Sequence, residues 1–157
     1  MLSGMKKLKF MVVDDDADVV AIARVNLTYI GHEMDAYMRG DDAISAISNG
    51  KPYDAAILDI ELSGASGIEV AEVSKFVYPH KPVIIMSGWN YKQYNLIQGA
   101  DAIFTKPMDF EEAVEWLKIN KPALFGDIVA NTSVEPQPLI PFALNKKDRI
   151  RYQIRQN

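Results

Sequence analysis

The chain has 157 residues, 48% hydrophobic and 24% charged, enough to close one core of ordinary globular composition. Zero cysteines exclude disulfides and thiolate chemistry, and two histidines are too few for a histidine-rich metal centre. The net charge of −4 is uneven, with 11 basic and 18 acidic side chains in residues 1–120 against 6 and 3 in residues 121–157, so an acidic domain precedes a basic tail.

Leu8 to Val13 (LKFMVV) is an apolar run without glycine or proline and reads as a buried strand. It meets Asp14, Asp15 and Asp16, with Asp18 close behind. Val19, Ile22, Ala23, Leu27 and Ile30 then recur at helical spacing before Gly31. Met34, Ala36 and Met38 alternate with polar neighbours as a half-buried strand would. Ala43 to Ile47 marks a short helix closed by Asn49-Gly50. Ala55 to Leu58 is a second buried strand, ending at Asp59. Ser66-Gly67-Ile68-Glu69 has capping-box spacing and opens a helix to about Val77. Pro82 to Met86 predicts another strand, ending at Ser87-Gly88. A weaker helix is expected from about Tyr91 to Gln98. Ala102 to Thr105 is the fifth strand, ending at Lys106-Pro107. Asp109 repeats the capping signal and starts a last helix to about Ile119.

Five strands alternating with five helices predict an α/β fold, a doubly wound parallel sheet of the flavodoxin-like (βα)5 type with strand order 2-1-3-4-5. The domain is expected to occupy residues 6–120. Residues 121–157 contain Pro122, Pro136, Pro138 and Pro141 and a basic run at Lys146–Arg151, and read as an extended or docked tail without its own core. Within it, Leu139–Leu144 reads as a docking segment. With no run of 18 apolar residues and no leader pattern, neither a membrane span nor secretion is expected, and a cytoplasmic location is.

In an open parallel sheet, ligands bind outside the carboxyl ends of the strands where the strand order reverses. Asp14 and Asp15, Asp59, Ser87 and Lys106 all stand at such ends. Two unit charges about 4 Å apart repel by roughly 4 kcal/mol at an effective dielectric near 20, so converging carboxylates require a cation. With no histidine or cysteine nearby, oxygen ligands point to a hard divalent ion, Mg²⁺. Lys106 adds a second positive charge and Ser87 a hydroxyl donor, a cradle for an anion beside a carboxylate. This equipment suits phosphoryl transfer, with Asp59, alone at its strand end, as the nucleophile.

VVDDD at Val12–Asp16, ILDIELSGASG at Ile57–Gly67, PVIIMSG at Pro82–Gly88 and GADAIFTKP at Gly99–Pro107 occur in an order and spacing that resembles the receiver domains of two-component response regulators. The resemblance spans about Lys6 to Asn120. It implies that Asp59 accepts a phosphoryl group from a histidine kinase or histidine phosphotransfer protein. It implies that Asp14, Asp15, Asp59 and the backbone carbonyl of Glu61 hold Mg²⁺, that Ser87 and Lys106 contact the phosphoryl oxygens, and that the Lys106-Pro107 bond is cis. Output would pass to a downstream protein through a changed surface, with homodimerisation left open. Such a domain catalyses only its own phosphotransfer and dephosphorylation.

The chain departs from the family pattern in three places. Ser63 replaces the usual proline, and Ser66 the usual acid, after the phosphoacceptor. Ile103 replaces the aromatic residue three positions before the lysine, with Phe104 its neighbour, which leaves output to another face or to repacking of Ile103.

Asp16 reads as a helix cap, Glu111, Glu112 and Glu115 as a solvated face, Trp116 and Leu117 as core, and His32 and His80 as solvated turn residues. Trp89, two residues after Ser87, is placed at the mouth of the site. The basic tail suggests nucleic acid, but the acidic domain and the lack of room for a helix-turn-helix oppose it. Two further readings compete. One is a haloacid-dehalogenase-type phosphohydrolase with Asp14 as nucleophile, in which Asp59 has no role and Asp18 stands where Thr or Val is usual. The other is a switching-deficient receiver acting as a scaffold.

Overall fold

Apolar residues dominate four of the five strands because both faces of the sheet are covered. The computed structural model describes residues 5–88 and 99–126. Its strands are β1 (Lys9–Val13), β2 (Glu33–Tyr37), β3 (Ala55–Asp59), β4 (Val83–Ser87) and β5 (Ala102–Thr105). Its helices are α1 (Ala17–Tyr29), α2 (Gly40–Ser48), α3 (Gly67–Val77) and α4 (Phe110–Asn120). All strand pairs are parallel in the order β2-β1-β3-β4-β5. The expected order and architecture are thus observed. The helix expected near Tyr91–Gln98, Trp89, and the tail from residue 127 onward lie outside the described residues.

Period-two alternation divides the strand side chains between two cores. Phe10, Val12, Ile57, Ile84, Met86 and Phe104 join Ala23 and Leu27 of α1 and Trp116 and Leu117 of α4. Met11, Val13, Leu58, Ile85 and Ile103 join α2 and α3 through Ala43, Ile47, Val70 and Ala71. Each fully buried Val, Leu, Ile, Phe or Met side chain among them contributes about 1.5–3 kcal/mol.

The helices begin where polar side chains satisfy their free amides. Asp16 Oδ1 accepts from Asp18 N–H at 2.9 Å. At α3 both halves of the capping box form, Glu69 N–H to Ser66 Oγ at 3.2 Å and Ser66 N–H to Glu69 Oε2 at 2.7 Å. Asp109 accepts from Glu111 and Glu112 N–H at the start of α4.

Two expectations need correction. His32 is buried, 6% exposed, where solvation was expected. Its Nδ1 accepts from Leu8 N–H at 3.0 Å, and its ring meets those of Phe10 and Phe125 edge-on. That backbone amide needs a partner once it leaves water, and the imidazole supplies one. Ile22, expected on the buried face of α1, is 53% exposed. Ala23 and Leu27 fill the interface, and Ile22 joins Val25 and Tyr29 on the outer side. Beyond Asn120, Pro122–Phe125 forms a 3-10 turn that returns Phe125, 2% exposed, to the core.

Candidate acidic metal site

Asp14, directly after β1, is held from several directions. Its N–H donates to Tyr37 C=O at 3.1 Å, and its Oδ1 accepts from Asp16 N–H at 2.9 Å. The side chain is fully buried. Asp59, the last residue of β3, is 6% exposed, and its Oδ1 accepts from Glu61 N–H at 3.3 Å. Gly67 lets the chain pass close behind it, since a Cβ there would collide with the carbonyl of Asp59. Asp15 points outward and accepts from Ser63 Oγ at 3.4 Å. Carboxylate oxygens of Asp14, Asp15 and Asp59 lie within 4.8 Å of one another. The sheet therefore brings the three acids together as anticipated.

Lys106 follows β5, where its N–H donates to Ser87 C=O at 2.9 Å and its bond to Pro107 is cis. Its ammonium sits between two acids, 2.8 Å from Asp14 Oδ2 and 2.9 Å from Asp59 Oδ2. The two carboxylates hold the ammonium at the strand ends. Ser87 ends β4, is 4% exposed, and lines the cleft with Asp59, Asp15, Glu61 and Lys106. The cleft has a volume of about 880 Å³.

Burial raises the Asp59 pKa, and the neighbouring Asp14 charge adds to the rise, against the Lys106 hydrogen bond that lowers it. For Lys106, burial disfavours the ammonium, but its bonds to Asp14 and Asp59 outweigh that and hold its pKa up. One ammonium among three carboxylates leaves the centre electron-rich. A hard cation with oxygen ligands fits this donor set.

The geometry gives the phosphohydrolase reading no support, because Asp14 is buried beneath the cleft and Asp59 faces it. A sequence model of the response regulator receiver domain matches residues 10–118. The chain belongs to that family. Curated relatives agree. The transcriptional regulatory protein TcrA of Mycobacterium tuberculosis is 31% identical over 108 residues, 67% of this chain and 42% of the relative. The two-component response regulator PhoP of Pseudomonas aeruginosa is 27% identical over 146 residues, 91% of this chain and 63% of the relative. The chain thus spans roughly half the length of these relatives.

Solved structures share the fold. A CheY-like receiver domain protein from Methanospirillum hungatei superposes with a TM-score of 0.66 at 22% identity, over 72% of this chain and 92% of that one. The response regulator TrrA from Thermotoga maritima, in complex with Mg²⁺–BeF, gives 0.64 at 30% identity, over 72% and 97%. Receivers of this family are signalling domains that bind Mg²⁺ at an acidic pocket and interact with histidine kinases or phosphotransfer proteins.

The structure also separates the two residues at the aromatic position. Ile103 lies in the core beneath α2 and α3, whereas Phe104 is fully buried on the opposite face with α1 and α4. Phe104 therefore cannot stand in for the missing ring. Spacing alone missed one group of neighbours, Arg39 with Gly40 and Asp41 at the start of α2, because Arg39 and Asp41 read as ordinary exposed charges and lie distant in sequence from the acids.

Proposed function

We propose that Asp59 is the phosphoacceptor of this receiver, charged by a histidine kinase or histidine phosphotransfer protein, and that the phosphorylated form presents a changed surface to a downstream protein. The observation that carries the reading is the Asp59 carboxylate in the cleft, with Lys106 on one oxygen and the Glu61 amide on the other. In the transfer, the P–N bond of a phosphohistidine breaks as an O–P bond forms to Asp59, and the leaving imidazole takes up a proton from water. Asp14 keeps Lys106 in place, so its ammonium meets the phosphoryl oxygens that follow Asp59's loss of charge. Ser87 lines the same cleft with a hydroxyl donor.

Mg²⁺ would be held by Asp14, Asp15, Asp59 and the Glu61 carbonyl, and when bound supplies positive charge against the acids and the incoming phosphoryl oxygens. Ser87 and Lys106 complete the site. The phosphoryl group is later lost to water in the same cleft. The proposed output partner is a protein, since an acidic domain repels a phosphate backbone. Ile103, buried and aliphatic, transmits the change by repacking and not by a swinging ring.

Intact-mass measurement after incubation with a small phosphodonor tests the assignment. One phosphoryl group should add to the wild type only with Mg²⁺ present, and none to Asp59→Asn. Phosphorylation of Asp59→Asn at the wild-type rate would place the nucleophile elsewhere.

A further inference from the structure

The segment after Asp59, residues 60–66, carries the Glu61 carbonyl, yet its middle has little to hold it. Ser63, Gly64 and Ala65 offer no large apolar side chain, and Gly64 adopts φ +78°, a conformation open chiefly to glycine. The restraint comes from outside, from Arg39 and the first turn of α2. Gly40 N–H donates to Ser63 C=O at 3.1 Å, and Arg39 pairs with Ser63 in a parallel, strand-like bridge. Asp41 Oδ1 accepts from Ala65 N–H at 3.2 Å, while its Oδ2 pairs with Arg39 at 3.3 Å. The two segments touch closely: a Cβ on Gly40 would strike the Ala65 carbonyl, and one on Gly64 would strike the Asp41 carboxylate. Ser63 then reaches across to β1's end, its Oγ donating to the exposed Asp15 Oδ2 at 3.4 Å.

We propose that Asp41 and Ser63 are positioning residues for the acidic site, Asp41 anchoring the loop that carries the Glu61 carbonyl and Ser63 orienting the Asp15 carboxylate. The inference rests on the Mg²⁺-dependent reading given above. Mg²⁺ tolerates little departure from octahedral geometry, so ligands must be aimed before it binds. Asp15 is exposed and would otherwise sample several rotamers. Ser63, in the place where the family pattern has proline, supplies a hydroxyl that proline lacks. Asp41 supports the loop through a side chain-to-backbone bond across 24 residues of sequence.

The experiment titrates the 157-residue wild type and its variants with Mg²⁺ by calorimetry, with hydrogen exchange at the Ala65 amide as a second readout. Partners that orient metal ligands are typically worth about 10–100-fold in affinity. Ser63→Ala should weaken Mg²⁺ binding by about tenfold and Ser63→Thr should restore most of it. Asp41→Ala should weaken it several-fold and speed exchange at Ala65. Asp41→Asn, which keeps the acceptor oxygen, should stay near wild type, and Asp42→Asn, which removes the same charge one residue away, should change nothing. If Asp41→Ala frees the Ala65 amide but binds Mg²⁺ as tightly as wild type, the contact is merely structural. Equal weakening in Asp41→Asn and Asp42→Asn would show long-range charge in place of positioning. Unchanged affinity in Ser63→Ala overturns the Asp15 half. Wild type that binds no Mg²⁺ overturns the underlying site reading as well, and does so before any substitution is compared.

Discussion

Lys106 bridges two carboxylates that would otherwise repel across the cleft, and the balance is incomplete. Because burial and Asp14 raise the pKa of Asp59, its contribution to folding is fully present below the unfolded pKa, about 3.9, and is lost as pH rises through the folded value. Asp59→Asn should therefore stabilise the metal-free protein at neutral pH by about 1 kcal/mol, roughly 4 °C in melting temperature, and remove that pH dependence. Thermal melts from pH 4 to pH 8 decide the matter; a variant less stable than wild type at pH 7 would contradict it. His32 works in the opposite direction. Burial lowers its pKa first, Lys118 lowers it further, and Asp54 opposes. Its contribution is complete above the unfolded pKa near 6.5 and is lost as pH falls below it toward the folded value. The wild type should lose stability as pH falls below about 6.5. In His32→Asn, with a neutral acceptor for Leu8 N–H, that loss should be absent when melts are compared above and below this pH.

At the scale of the element, α1 shows how one helix serves two surroundings. Ala23 and Leu27 are fully buried against the sheet and α4, while Ile22, Val25 and Tyr29 are 53%, 68% and 85% exposed. An amphipathic helix normally places charge on its outer side, and this one places three large apolar groups there among Asp18 and Arg24. The difference predicts a sharp contrast between neighbours. Leu27→Ala should cost about 3 kcal/mol, whereas Val25→Ala, two residues away, should change stability by less than about 0.5 kcal/mol. Chemical denaturation of both variants checks this, and a large loss from Val25→Ala would mean that its exposed position is wrong.

For the whole molecule, the C-terminal boundary matters. The composition shift after Asn120 suggests that the fold stops there, but Phe125 packs beside His32 in the core shared by α1 and α4. The domain is therefore proposed to extend at least to Phe125. A chain ending at Asn120 should lose about 3 kcal/mol relative to one ending at Gly126, the cost of removing a buried phenylalanine. Differential scanning calorimetry separates the two, and equal melting temperatures would remove Phe125 from the core.

Much of this architecture was legible in the sequence because its signals are local. Buried parallel strands must be apolar, so Met11–Val13, Ala55–Leu58 and Val83–Met86 stand out, and the acids, serine and lysine at their ends mark the site. Ser66 and Glu69 announce a helix start by chemistry within four residues. Other features depend on what the fold brings near. His32 has the same composition whether solvated or buried, and only the packing of Phe10 and Phe125 decides which. That Lys106 pairs with both Asp14 and Asp59 depends on which charges stand within reach, and a strand-end position does not specify that. Asp41 reads as an ordinary exposed acid until the chain folds the Ala65 amide against it. By itself the sequence determined the strands, their order and the chemistry available at the strand ends. The tertiary structure decided the pairing of those charges and the anchoring of the loop, because both depend on distances across elements far apart in the chain.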